Sequence, residues 1–190
     1  QGKPEEFHFV AGLMEGASGL TGRFLQAYGT PSVSAEMDLY QANKKMAQQL
    51  TWGVDTEVPN VANSRFILNF GANPYESHPM YIPLAQRLKQ AQLKGAKLVT
   101  LDPRLSFTAA QSNRWLQPNP GTDAVVALAM ANVIMKQGLA NSEFLERWTN
   151  YSPQKLTQHL EQYTPQSAEK ISGIPAIEIV DVEVELATSN

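Results

Sequence analysis

Three times between Arg65 and Asp123 an apolar, strand-like run stops and polar residues take over, with a helix-length of chain between successive stops. Phe66-Ile67-Leu68-Asn69-Phe70 breaks into Gly71-Ala72-Asn73-Pro74. Lys97-Leu98-Val99-Thr100-Leu101 ends on Asp102-Pro103-Arg104, and Arg114-Trp115-Leu116-Gln117 runs into Gly121-Thr122-Asp123. Strands alternating with helices predict an α/β fold, a parallel sheet with helices on both faces, because each parallel connection must cross over a face. In such sheets ligands bind beyond the carboxyl ends of the strands. The three loops are therefore the candidate site.

The flanking chain extends the same pattern. Phe7 to Leu13 reads as a strand, followed by a turn at Gly16 and Gly19 and a short helix from Gly22 to Tyr28 stopped by Gly29. Ser32 to Ala35 reads as a short strand, and Tyr40 to Trp52 as a helix ended by Gly53. A helix capped by Ser77 carries Leu84, Leu88 and Ala91, and Gly95 stops it. Thr122 is placed to cap a helix over Asp123–Gln137 with Val126, Met130, Val133 and Ile134 on its apolar face. Beyond Asn141 the chain reads as helical, with Pro153 and Pro165 near helix starts and a break at Gly173-Ile174-Pro175. Ala176 to Ala187 is read as helix, because Ile177, Val180, Val184 and Ala187 share a helical face. The expectation is one α/β domain over residues 1–190, with 141–190 a mainly helical extension.

A chain of 190 residues supports one substantial core. The net charge of −3, without clustered Lys or Arg, argues against a nucleic-acid partner. With no Cys, this stretch holds neither a disulfide nor an iron–sulfur cluster. His8, His78 and His159 are too dispersed to make a metal site by spacing. There is no GxGxxG and no GxxxxGK[ST], so ordinary NAD or FAD recognition and a P-loop are unsupported.

Taken in order, FGANPYESHP, GAKLVTLDPR and PGTDAVVALAMANVI resemble the molybdopterin oxidoreductases of the dimethyl sulfoxide reductase family, over nearly the whole chain. That family includes formate dehydrogenases and nitrate, thiosulfate, polysulfide and arsenate reductases. The resemblance implies a Rossmann-like dinucleotide-binding arrangement, within domains 1–3 of the formate dehydrogenase/dimethyl sulfoxide reductase fold. It implies a molybdopterin guanine dinucleotide cofactor carrying molybdenum or tungsten. The whole enzyme would move an oxygen atom, sulfur or a hydride equivalent, and this piece alone would be inactive. A 4Fe-4S cluster is expected only in a missing N-terminal segment, the chain being read as a fragment. The implied partners are the remaining domains of the same large subunit, an iron–sulfur electron-transfer subunit and a membrane-anchor subunit, as in anaerobic respiration. The implied location is periplasmic or membrane-associated, with the cytoplasm as alternative.

By resemblance Gly71, Asn73, Glu76, Asp102, Arg104, Gly121 and Asp123 occupy cofactor-nucleotide positions, Glu76 as a lesser candidate. Their chemistry suits the assignment. Gly71 lets backbone turn off a strand close to a ligand, and Asn73 offers both a donor and an acceptor. Asp102 stands where an acid accepts from ribose hydroxyls, and Arg104 presents a fork suited to phosphate. A salt bridge capping the next element explains the latter pair equally well. The Asp123 carboxylate matches the adjacent N1–H and N2–H donors of guanine; a plain helix-terminal Asp is the simpler account. The family's metal ligand aligns with Tyr40, with Asp38 two residues earlier, and three readings stay open: Tyr40, Asp38, or no protein ligand. Two other classes also remain, a non-catalytic nucleotide-binding module and a structural α/β domain.

Overall fold

Short parallel strands, each followed by a helix, organise the computed structural model, which describes residues 3–12, 18–35, 42–54, 59–76 and 81–189. The chain divides into two compact units, Gln1–Pro59 and Asn60–Asn190, where the sequence suggests one body. In the first, β1 (Phe9–Ala11) and β2 (Val33–Ala35) pair in parallel, Phe9 opposite Val33 and Ala11 opposite Ala35. The crossover contains the helix Ser18–Tyr28, which ends at Gly29. The strand is thus shorter than the expected run from Phe7, and the helix begins at Ser18 and not at Gly22, so that Gly19 lies inside it instead of in the turn before it. Glycine within a helix costs only about 1 kcal/mol, and no proline interrupts this run. Thr30 knits the turn: its hydroxyl donates to the Phe7 carbonyl at 2.5 Å and accepts from the Ser32 N–H at 3.1 Å. A second helix, Ala42–Trp52, stops at Gly53 as the sequence indicates. Gly16, Leu13 and the expected Ser77 cap lie outside the described residues.

The second unit holds a three-stranded parallel sheet in the order β3 (Phe66–Phe70), β4 (Lys97–Leu101), β5 (Arg114–Leu116). Phe66 faces Lys97, and Val99 faces Arg114. Side chains alternate between two faces. Phe66, Leu68 and Phe70 with Val99, Leu101 and Leu116 pack against Val126, Ala129 and Met130 of the helix Asp123–Lys136 and against Ile179 and Val182 of the helix Ala176–Thr188. Ile67 turns the other way, toward Leu84, Leu88 and Ala91 of the helix Tyr81–Leu93. Helices on both faces are the expected arrangement. Fully burying each such side chain contributes about 1.5–3 kcal/mol.

Two corrections concern the end of the chain. The sequence suggests an extension for the helices Ser142–Trp148, Pro153–Leu160, Pro165–Ser172 and Ala176–Thr188. Ala168, Ile174, Ile179 and Val182 are instead fully buried in the sheet's own core. Lys97 also donates to Glu185, and Arg114 Nη1 lies 3.4 Å from Glu178 Oε2. The last helix is a helix, but its buried stripe is Ile179, Val182 and Glu183, whereas Ile177 is 63% exposed. Apolar residues recur at helical spacing on two of its faces, so periodicity could not choose between them. The caps at Asn141, Ser152 and Thr164 accept from the third N–H downstream, at 2.9, 3.3 and 3.1 Å. Thr122 does not cap its helix: its hydroxyl donates to the Asn119 carbonyl at 2.7 Å.

Candidate functional site

The carboxyl ends of β3, β4 and β5 open into the three loops, and backbone bonds fix the first against the second. Gly71 has φ +61°, which an L side chain adopts with strain, and its N–H donates to the Leu101 carbonyl at 2.8 Å. Asn69, the fourth residue of β3, folds the loop back by donating from Nδ2 to the Ala72 carbonyl (2.8 Å), with Thr100 Oγ1 a second acceptor at 3.3 Å.

Asn73 is engaged within the protein. Its Oδ1 accepts from the Thr108 hydroxyl at 2.6 Å and from the Thr108 N–H at 3.4 Å, and its Nδ2 donates to Glu76 Oε2 at 2.5 Å. The Thr108 hydroxyl in turn accepts from the Tyr75 N–H at 3.2 Å. Tyr75 reaches Gln92 Oε1 at 3.1 Å, and burial raises its phenol above the ordinary value. Glu76 Oε2 also lies 4.0 Å from Arg104 Nη2, with both side chains exposed. An exposed pair at that distance contributes at most about 1 kcal/mol.

Asp102 is buried and closes a turn on itself, Oδ1 accepting from the Arg104 N–H at 3.0 Å. Its own N–H donates to the Leu116 carbonyl at 3.1 Å, and its carbonyl accepts from the Trp115 indole at 2.8 Å. Gln117 Nε2 donates to the Pro103 carbonyl at 2.9 Å, and Ser106 caps the short helix Phe107–Ala110. Oδ2 of Asp102 has no hydrogen-bond partner among the described residues. So the residue does structural work with one oxygen, while the other is unpaired among the described residues.

In the third loop Gly121 has φ +81°, and Asn119 anchors the approach through its N–H to the Ser172 carbonyl (2.7 Å) and its Nδ2 to the Ile171 carbonyl (2.9 Å). Asp123 is the exposed first residue of its helix, and its carboxylate has no partner among the described residues. Asn73, Glu76, Arg104 and Asp102 are thus joined in a row of direct contacts, and Gly71 is tied to Leu101 just before Asp102; among the described residues Gly121 and Asp123 connect to them along the chain from Gln117. Tyr40 and Asp38 lie outside the described residues. Among those residues no group of His, Cys, Asp and Glu is gathered to hold a metal.

Behind the loops lies a polar chain that sequence reasoning missed. Thr100 Oγ1 and Ser112 Oγ are 2.7 Å apart, and Ser112 Oγ donates to the Thr108 carbonyl at 2.8 Å. With Asn69, Asn73 and Glu76 these groups run from β3 to the loop surface. A second unforeseen group is Glu183, 2% exposed on the core side of its helix with no ion pair or hydrogen bond among the described residues. Burial pushes its carboxyl up to about 7.

The donor set fits a nucleotide. A carboxylate oxygen and a second, exposed carboxylate suit sugar hydroxyls and the donor edge of guanine, and an exposed guanidinium suits phosphate. Among the described residues nothing stands within 4 Å of where a Cβ on Gly71 or Gly121 would lie. The fold and its polar rim define a parallel α/β unit of the kind that binds ligands at its sheet edge.

Residues 3–177 match the family model described as molybdopterin oxidoreductase. The chain belongs to that family. It is 35% identical over 161 residues to the thiosulfate reductase molybdopterin-containing subunit PhsA of Salmonella typhimurium, covering 85% of this chain and 21% of that protein. It is 41% identical over 108 residues to the F420-dependent formate dehydrogenase subunit alpha of Methanocaldococcus jannaschii, covering 57% and 16%. Acetylene hydratase from Pelobacter acetylenicus superposes with a TM-score of 0.80 at 29% identity, over 98% of this chain and 25% of that one. The chain therefore spans about a fifth of the length of the thiosulfate reductase relative.

Proposed function

We propose that this chain is the nucleotide-holding part of the catalytic subunit of a molybdenum or tungsten oxidoreductase, and that its sheet edge binds the guanine nucleotide of molybdopterin guanine dinucleotide. The observation that carries the reading is the placement of Asp102, Arg104 and Glu76 on one polar rim of a sheet whose family is known, with Asp102 Oδ2 unpartnered among the described residues. Asp102 would accept from the ribose diol, Arg104 would face phosphate, and Asp123 would accept from guanine. When bound, the cofactor supplies two-electron redox chemistry for oxygen-atom, sulfur or hydride-equivalent transfer. The protein's part is to bind, orient and exclude water. The remaining domains of the same subunit complete the enclosure, and this stretch alone does not turn over. An iron–sulfur electron-transfer subunit is the proposed redox partner, with a membrane-anchor subunit and a periplasmic location part of the same proposal. The test is metal and nucleotide analysis of the full-length protein. Molybdenum or tungsten near one atom per chain, with guanine nucleotide released on acid treatment, is the expected result. Native protein carrying neither refutes the reading, and nucleotide without metal favours a non-catalytic binding module.

A further inference from the structure

We infer that Thr108, a fully buried residue of the short helix behind the loops, is the positioning residue that sets the nucleotide rim. Hydrogen-bond parity fixes its role. The Thr108 N–H donates to Asn73 Oδ1, which identifies that atom as the amide oxygen and directs Nδ2 toward Glu76. The Tyr75 N–H donates to the Thr108 hydroxyl, so the hydroxyl proton goes to the remaining acceptor, Asn73 Oδ1. One side chain thereby satisfies two groups of the first loop, 33 and 35 residues away in sequence. Asn73 in turn holds Glu76 Oε2, the atom that faces Arg104 Nη2. The orientation of Glu76 is thus set from inside the core, and Asn73 acts as the relay between core and rim. Thr108 is 0% exposed.

The inference rests on the nucleotide reading above. Its test uses the full-length protein as purified, with three variants: Thr108→Val, Thr108→Ser and Ser112→Ala. Valine matches threonine in shape but removes the hydroxyl that both Asn73 and Tyr75 need. Serine keeps it, and Ser112→Ala loosens the same short helix without touching Asn73. The readouts are guanine nucleotide per chain after acid release, and the melting temperature of cofactor-free protein. The expected result for Thr108→Val is a fall in nucleotide of about ten-fold, because the part-buried Tyr75 N–H loses its acceptor and Asn73 Oδ1 keeps only the Thr108 N–H, so the loop loses its register. Thr108→Ser restores the load. Ser112→Ala lowers the melting temperature comparably and keeps the load, which separates positioning from plain stability. A wild type loaded with nucleotide beside an equally loaded Thr108→Val overturns the inference alone. So does an equal loss of load in Ser112→Ala, or failure of serine to rescue. A wild type without guanine nucleotide overturns the functional reading and this inference together.

Discussion

Replacing Glu183 with glutamine is expected to stabilise the fold at neutral and alkaline pH, a gain made by removing a charge. The carboxyl sits in the core stripe of the Ala176–Thr188 helix, beside Val182 and one turn from Ile179, with no counter-charge among the described residues. Burial disfavours the ionised form and raises its titration from 4.5 to about 7. The sign follows from proton counts. Between those values the folded chain holds a proton that the unfolded chain has released, so stability falls as pH rises from about 4.5 to about 7. Below that window the burden vanishes; above it the loss is complete. A gap of about 2.5 pH units (7 − 4.5) at 1.36 kcal/mol each amounts to about 3 kcal/mol. The amide would keep the shape and polarity of the neutral acid without the titration. Urea unfolding of wild type and Glu183→Gln at pH 5 and pH 8 measures the effect as a difference, in which the histidines and the other carboxylates cancel. The variant should gain about 3 kcal/mol over wild type at pH 8 and much less at pH 5. Parallel pH profiles for the two proteins would refute the argument.

Three substitutions in the rim divide binding from structure. Asp102→Asn keeps the oxygen that closes the turn onto the Arg104 N–H and replaces Oδ2 with a donor, so thermal stability should hold while nucleotide content drops; an unchanged load removes Asp102 from the site. Arg104→Ala deletes a side chain whose ion partner lies 4.0 Å away, so the melting temperature should barely move. A drop of several degrees would show that Arg104 is a structural cap. Asp123→Asn turns one acceptor into a donor facing guanine's donors, at a cost of about 1–3 kcal/mol. Cofactor occupancy measured by guanine release should fall about ten-fold, and full occupancy would exclude Asp123 from recognition.

What the sequence discloses is the part written locally. β4 and β5 fall on the expected residues because apolar runs end on Asp-Pro and on Gln-Pro. Gly71 and Gly121 are legible because turns off a strand favour residues that tolerate positive φ. The rim residues can be found by type, yet their division of labour cannot. Nothing in Asn73-Pro74-Tyr75-Glu76 reveals that the amide is spent on Thr108, because that contact spans 35 residues and is made only when the sheet forms. Thr122 has the residue type and place of a cap, but the Asn119 carbonyl competes for its hydroxyl and wins. The last helix misleads differently. Ile177, Val180 and Val184 offer one apolar stripe and Ile179, Val182 and Leu186 another, and only tertiary packing decides between them.

The Ala176–Thr188 helix also sets a timetable for the nascent chain. Sheet strands Phe66–Phe70, Lys97–Leu101 and Arg114–Leu116 leave the ribosome well before the segments that bring Ala168, Ile174, Ile179 and Val182 onto them. From Leu116 to Thr188 is 72 residues (188 − 116). At roughly 5–20 residues per second, synthesis of that stretch takes about 4–14 s. During this interval Val99, Leu101 and Leu116 gain first the Asp123–Lys136 helix on that face and then Ala168 and Ile174, before Ile179 and Val182 complete it. Slow codons or a pause inside this window would lengthen the exposure of a half-clad parallel sheet, the species most prone to pair with its neighbours. On the proposed reading, early binding of a nucleotide by the three loops, complete once Asp123 has emerged, would anchor the strands until the Ala176–Thr188 helix arrives.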